Sequence, residues 1–281
     1  MDSSKFDELT RALATSTSRR GTIKVLFTSV LGGALGLGGI GITQAALVDP
    51  CKKIIGDQCT GICGSTNDKD PLWCIAQRCI HGKRKCFEVD PGGEWVLNRP
   101  GSNNYTLIAG QRVTGIECHK IWDSTTPDYW EFAWQAAQRH LLPKHLPVGM
   151  AINAANARNY CQLHIHISCI QTGVMNTLTA NDSNIPTNPS HWTHTILTLG
   201  TPPNQYQYRV LRLNTLQPGG KNLFQLLKDM VGPGAMRYQT LVVVARPKSL
   251  GGGFYILNSA THDPNLPNGN GHGEVLLNET C

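Results

Sequence analysis

Charge is scarce in this chain. Only 16% of its 281 residues are Asp, Glu, Lys or Arg, too few for a solvated disordered segment or a charge-laced coiled coil. A long basic run is also absent. The formal net charge of +6 is spread along the chain, too thinly to form a nucleic-acid surface, so no nucleic-acid partner is expected. No internal repeat occurs, and none of the ten cysteines forms a Cys-x2-Cys pair. Glycine and proline are plentiful, at 29 and 16 residues, which points to turns and irregular loops rather than a helix bundle. The length allows one medium domain or two small ones with a real core.

Residues 1–45 read as an export segment. Ser18, Arg19, Arg20, Gly21, Thr22, Ile23 and Lys24 resemble a twin-arginine motif. The apolar stretch 25–42 carries six glycines, so it is a weak hydrophobe for its length. Thr43, Gln44 and Ala45 offer small residues for cleavage. The alternative is a membrane anchor, since about 18 apolar residues nearly span a bilayer. The expected location is extracytoplasmic, secreted or associated with the cell membrane.

All ten cysteines follow this segment. An even number in an exported chain reads as disulfides. Six of them (Cys51, Cys59, Cys63, Cys74, Cys79, Cys86) crowd into a short lead at 46–85 and its border. A segment that short needs cross-links rather than a core. Zinc is the competing reading, against which the Cys-x3-Cys and Cys-x4-Cys spacings count. Lys83, Arg84 and Lys85 close the lead. They suit either a solvated loop or an anionic membrane surface.

From residue 86 the pattern is that of one α+β domain. Strands are expected at 94–97, 105–109, 148–153, 161–170 and 206–213, and a hairpin at 240–245 and 254–257. A helix start is expected at 123–127 and a helix over 128–142, where Trp130, Ala133, Trp134, Ala137 and Leu141 recur at helical spacing. A second helix is expected at 222–231. The stretch 171–205 shows little periodicity and reads as loop.

The chemistry is carried by Gln162, Leu163, His164, Ile165, His166, Ile167 and Ser168. On a strand, residues two apart share a face. Leu163, Ile165 and Ile167 then enter the core, and Gln162, His164, His166 and Ser168 share the other side. Three readings stay open on spacing alone. One imidazole attacks an electrophile while the other assists. Or the pair binds a metal with a distant third ligand such as His191, His194, His262, His272 or Asp263. Or these are polar residues on a solvated face.

A wider resemblance favours the first. Ala151-Ile-Asn-Ala-Ala-Asn-Ala-Arg158, then Gln162-Leu-His-Ile-His-Ile-Ser-Cys169, with Phe132-Ala-Trp-Gln-Ala136 upstream, resemble the CDP-diacylglycerol pyrophosphatases of the wider histidine-triad superfamily. The likeness runs over roughly 86–277. It implies an α+β fold: an antiparallel sheet of histidine-triad type with one or two packed helices, preceded by a small disulfide-rich segment. It implies hydrolysis of CDP-diacylglycerol to CMP and phosphatidate, with no metal or other cofactor required. His164 would be the nucleophile and His166 would assist the leaving group. Asn153, Arg158, Gln162 and Ser168 would bind substrate, with Gln162 in the first triad position in a supporting role. Tyr160 and Cys161 stand where the family often has a polar pair, which bears on base or sugar selectivity. The expected partners are CDP-diacylglycerol or a related nucleotide pyrophosphate, and a membrane surface. The alternatives are hydrolysis of other nucleotide pyrophosphates by an exported enzyme, or a secreted binding protein acting through the lead.

Cys161 and Cys169 are eight residues apart on one expected strand, about 26 Å if unbroken, so they cannot pair. The partners left beyond the lead give the expected bridges Cys118–Cys161 and Cys169–Cys281.

Overall fold

The computed structural model describes residues 70–122 and 126–281. The expected export segment, Cys51, Cys59 and Cys63, and most of the expected helix start lie outside them.

The fold is α+β. Its centre is a 10-stranded antiparallel sheet made of β1 (Glu88–Val89), β2 (Trp95–Asn98), β3 (Tyr105–Ala109), β4 (Val148–Ile152), β5 (His164–Ile170), β6 (Ile196–Thr201), β7 (Asn204–Leu213), β8 (Gln239–Ala245), β9 (Phe254–Ala260) and β10 (Leu277–Asn278). Along the sheet the order is β1-β2-β3-β5-β4-β8-β9-β7-β6, and β10 pairs with the end of β5. β5 is therefore interior, with Thr106 of β3 on one side of His166 and Ala151 of β4 on the other. Two neighbouring strands fix its register, and with it the face each side chain takes.

Alternation sorts the sheet into two apolar layers. Leu163, Ile165 and Ile167 join Met150, Leu241, Val243 and Ile256 on one face. That face is covered by α2 (Tyr129–His140) and α4 (Leu223–Val231). Helix α2 starts where the Asp128 carboxylate accepts from the Trp130 and Glu131 N–H groups, satisfying donors the helix cannot pair internally. Trp130, Ala133 and Ala137 bury its inner stripe, with Trp130 fully buried. This is the core role their spacing implies.

The opposite face carries the histidines. At one end α1 (Pro71–Ile80) packs Leu72, Ile75, Ala76 and Cys79 on Val96 and Ile108. At the other end α3 (Thr172–Ala180) packs Val174 and Leu178 with Val210, Leu257 and Leu276. Helix α1 lies inside the stretch read as a separate lead, yet its apolar side is part of this layer.

Three sequence expectations are corrected here. The stretch 171–205 is not mostly loop, since it holds α3 and β6. Asp182 pins it down, accepting from Arg246 Nε at 2.6 Å, Arg212 Nη1 at 2.7 Å and the Tyr255 hydroxyl at 2.6 Å. Four helices pack on the sheet among the described residues, where one or two were expected. And β5 begins at His164, leaving Gln162 in an isolated bridge with Thr114.

Of the expected bridges, Cys169–Cys281 is present, with a Cα separation of 6.2 Å. Cys118–Cys161 is not. Cys118 is a buried free thiol in the layer under α2. Cys161 is disulfide-bonded elsewhere, next to Tyr160, which packs on the α1 side of the sheet. Cys79 pairs with Cys86 and closes the turn after α1. Among the described residues, no helix is long and apolar enough to cross a membrane.

Candidate active site

His164 opens β5 and is 7% exposed, and His166 is 9% exposed. Their rings meet edge to face with centroids 5.1 Å apart. They do not stand on a solvated face. They sit in a gap between α1 and the C-terminal segment, which crosses the sheet before β10.

The His164 ring is held from below. Its Nδ1 lies 2.7 Å from the Gln162 carbonyl oxygen. A carbonyl only accepts, so Nδ1 carries the proton and Nε2 keeps its lone pair. Burial, and then the charge of His166, push the His164 pKa down to about 3. The ring is therefore neutral near pH 7, which is the nucleophilic form.

Gln162 builds this arrangement through its backbone. Its N–H donates to the Asp70 carboxylate, the same carboxylate that caps α1 by accepting from Leu72 and Trp73. Its side-chain amide donates to the carbonyls of Ala109 and Gln111, at 2.8 and 2.7 Å. So the side chain holds the chain after β3 and the main chain orients His164. Ser168 is fully buried. Its hydroxyl lies 2.9 Å from the Asn103 carbonyl and 3.0 Å from that of Asn278, tying β5 to β10.

Asn153 directly follows β4, two residues beyond Ala151, the partner of His166. Its Oδ1 accepts from the Gly273 N–H at 2.8 Å. The Arg158 guanidinium forks onto Glu117, with Nη1 at 2.8 Å from Oε2 and Nη2 on Oε1. Its side chain is 3% exposed, and its charge helps to depress the proton affinity of His164. Gly115 leaves the room this requires, because a Cβ there would collide with the guanidinium.

Sequence reasoning missed the acidic residues. Glu117 fixes Arg158, and Asp70 fixes Gln162. Glu274 and Glu279 belong to the C-terminal segment, and both carboxylates feel the charge of His166. Burial pushes Glu279 up. Burial also pushes Glu274 up, but its hydrogen bond with His272 and the charge of His166 outweigh this and hold it below the usual carboxylate range. Nothing in the sequence separates these four from the other acidic residues, which are 19 in all.

Four of the five residues weighed as distant metal ligands are engaged elsewhere, and the fifth, His272, bonds Glu274 at 3.3 Å. His191 and His194 stack on each other at 4.6 Å, His262 lies against Tyr238, and Asp263 pairs with Arg209 at 2.6 Å. Among the described residues, no group of three or more His, Cys, Asp or Glu could hold a metal ion. A cavity of about 340 Å³ lined by Arg209, Tyr238, His262 and Asp263 opens away from the histidine pair. Arg209 pairs with Asn258, which pairs in turn with Leu241 of the layer under α2.

Comparison with known proteins adds to this geometry. The family model described as CDP-diacylglycerol pyrophosphatase matches residues 67–281. The match begins ahead of α1, so it extends further toward the N-terminus than the stretch 86–277 read from the motifs. The chain is also 32% identical to the CDP-diacylglycerol pyrophosphatase of Yersinia pestis over 232 residues, which is 76% of this chain and 85% of that protein.

Proposed function

The chain belongs to the CDP-diacylglycerol pyrophosphatase family, and we propose that it hydrolyses CDP-diacylglycerol to CMP and phosphatidate through a covalent intermediate on His164. The observation that carries the mechanism is the bond between His164 Nδ1 and the Gln162 carbonyl. It leaves Nε2 free to attack in a ring that burial keeps neutral.

In the first step Nε2 bonds to the cytidylyl phosphorus and the phosphoanhydride P–O bond breaks. Phosphatidate departs with that electron pair. The ring, now carrying phosphorus at Nε2 and hydrogen at Nδ1, is positive, and the Gln162 carbonyl dipole stabilises that charge. His166 hydrogen-bonds the phosphate oxygens and the departing oxygen. Arg158 supplies positive potential beside His164, and Asn153 lies next to the pair for contact with ribose or phosphate. Gln162 and Ser168 keep β5 in place. In the second step water displaces the histidine and CMP leaves. Chemistry of this kind depends on positioning and charge stabilisation.

The test uses substrate labelled in the cytidylyl phosphate. Wild type trapped during turnover should carry label on His164. His164→Ala should retain its fold, carry no label and lose at least about 10³-fold in kcat. Turnover by His164→Ala at the wild-type rate refutes the mechanism.

The substrate is a membrane lipid, and the proposed membrane contact is the edge of the sheet near β1. Lys83 and Lys85 are exposed there, with Phe87 39% and Val89 37% exposed beside them. Basic and apolar residues together suit an anionic bilayer surface. Export through the Arg19–Arg20 segment would place the enzyme outside the cytoplasm.

A further inference from the structure

The second step of the proposed hydrolysis needs a base, and His164 cannot supply it while its Nε2 is bonded to phosphorus. In an in-line displacement, water enters where phosphatidate left, on the His166 side of the phosphorus. Glu274 lies in the C-terminal segment that crosses this face. It lies in the 3-10 turn Gly273–Leu276, with a side chain 14% exposed. Oε1 is 3.3 Å from His272 Nδ1. Oε2 is buried and has no hydrogen-bond partner among the described residues. A buried carboxylate oxygen with no donor on it has an accepting position open for the proton of a water molecule.

The segment that bears Glu274 crosses the histidine face at the row that holds His166. A Cβ on the preceding Gly273 would stand 3.1 Å from Val242 Cγ2, Val242 pairs with Ala151, and Ala151 pairs with His166. The charge of His166 acts on the carboxylate from there. The titratable groups around it are His166, His272, Glu279, Tyr208 and His164. Its backbone is fixed from both directions. The preceding Gly273 N–H is bound by Asn153. The following β10 pairs with β5 and ends at the Cys169–Cys281 bridge.

We propose that Glu274 Oε2 is the general base that activates the water which hydrolyses the cytidylyl-histidine, an assignment that rests on the covalent mechanism above. The water oxygen bonds to phosphorus and the P–Nε2 bond breaks, its electron pair returning to His164. The water proton passes to Oε2, and CMP leaves. The carboxyl then loses its proton toward solvent past His272, whose side chain is 49% exposed.

The two steps can be separated by rapid mixing of full-length protein with CDP-diacylglycerol. Glu274→Gln keeps the shape and removes the base. It should release about one equivalent of phosphatidate at the wild-type rate, hold the cytidylyl label on His164, and turn over roughly 10²–10⁴-fold more slowly. Steady-state turnover within about threefold of wild type overturns the proposal. So does a first step that slows as much as the second. Glu274→Ala with added formate is the second measurement, and it also serves if the glutamine variant does not fold. Formate should restore the second step, and failure to do so in a folded Glu274→Ala protein counts against a base role. If wild type itself never carries label, the covalent mechanism falls. If wild type is labelled but Glu274→Gln turns over normally, only the role of Glu274 falls.

Discussion

His164 carries a measurable cost in stability. In the folded protein it stays neutral down to about pH 3, whereas the same side chain in an unfolded chain takes its proton near 6.5. Acid therefore favours the unfolded state. The penalty is absent above about pH 7, appears as pH falls below 6.5 and grows until it saturates near 3. At pH 5 it amounts to about 2 kcal/mol. The melting temperature of wild type should drop more between pH 7 and pH 5 than that of His164→Gln, which has no such proton to take. Equal drops would show that His164 is not held neutral by the fold. At this scale the histidines and their shared face were legible, because alternation is a property of residues two apart. Their neutral state was not, since it depends on burial by segments distant in sequence. The acidic residues were not legible either. Glu274 and His166 are 108 positions apart, and Arg158 and Glu117 are 41 apart.

The decisive element is the C-terminal segment that crosses the histidine face. Gly273 is where it passes closest to the sheet. A Cβ there would stand 2.7 Å from Thr240 Oγ1 and 3.1 Å from the Ile152 carbonyl oxygen. Both atoms are fixed, because Thr240 Oγ1 donates to that same carbonyl. Gly273→Ala should therefore lift the segment and carry Glu274 with it. The expected loss is about 1–3 kcal/mol in denaturant unfolding and at least about tenfold in turnover, with substrate KM changed less than kcat. A variant with wild-type kcat would show that the close approach is not used. Elements with long stripes were readable in advance. Helix α2 shows Trp130, Ala133 and Ala137, and α4 shows Leu223, Phe224, Leu226 and Leu227 on its buried side. Helix α3 offers only Val174 and Leu178 to the core, and β6 is an edge strand with mostly exposed side chains. Two buried residues do not make a period, so that stretch read as loop.

For the whole molecule, the sheet has one face covered by α2 and α4 and the other by α1, α3 and the C-terminal segment, with the histidine pair buried among them. The basic and apolar edge at 83–89 lies beyond α1 on the approach to that sheet. If it meets the bilayer, changing Lys83, Arg84 and Lys85 together to Ala should weaken binding to vesicles rich in anionic phospholipid. The loss should be roughly 100-fold, at about 1 kcal/mol per charge near the surface. Hydrolysis of detergent-dispersed substrate should change little. Equal sedimentation of wild type and variant with anionic vesicles would exclude the edge as the contact. The sequence by itself determined the α+β class, the central strands and the pair of imidazoles on one strand face, because these follow from periods of two and 3.6 residues. Only the tertiary structure decided that the Gln162 carbonyl leaves His164 Nε2 free, that Cys118 stays a buried thiol while Cys161 is bonded elsewhere, and that the segment bearing Glu274 crosses the histidine face. Those facts depend on strand order and on close packing between segments distant in sequence, which no local pattern encodes.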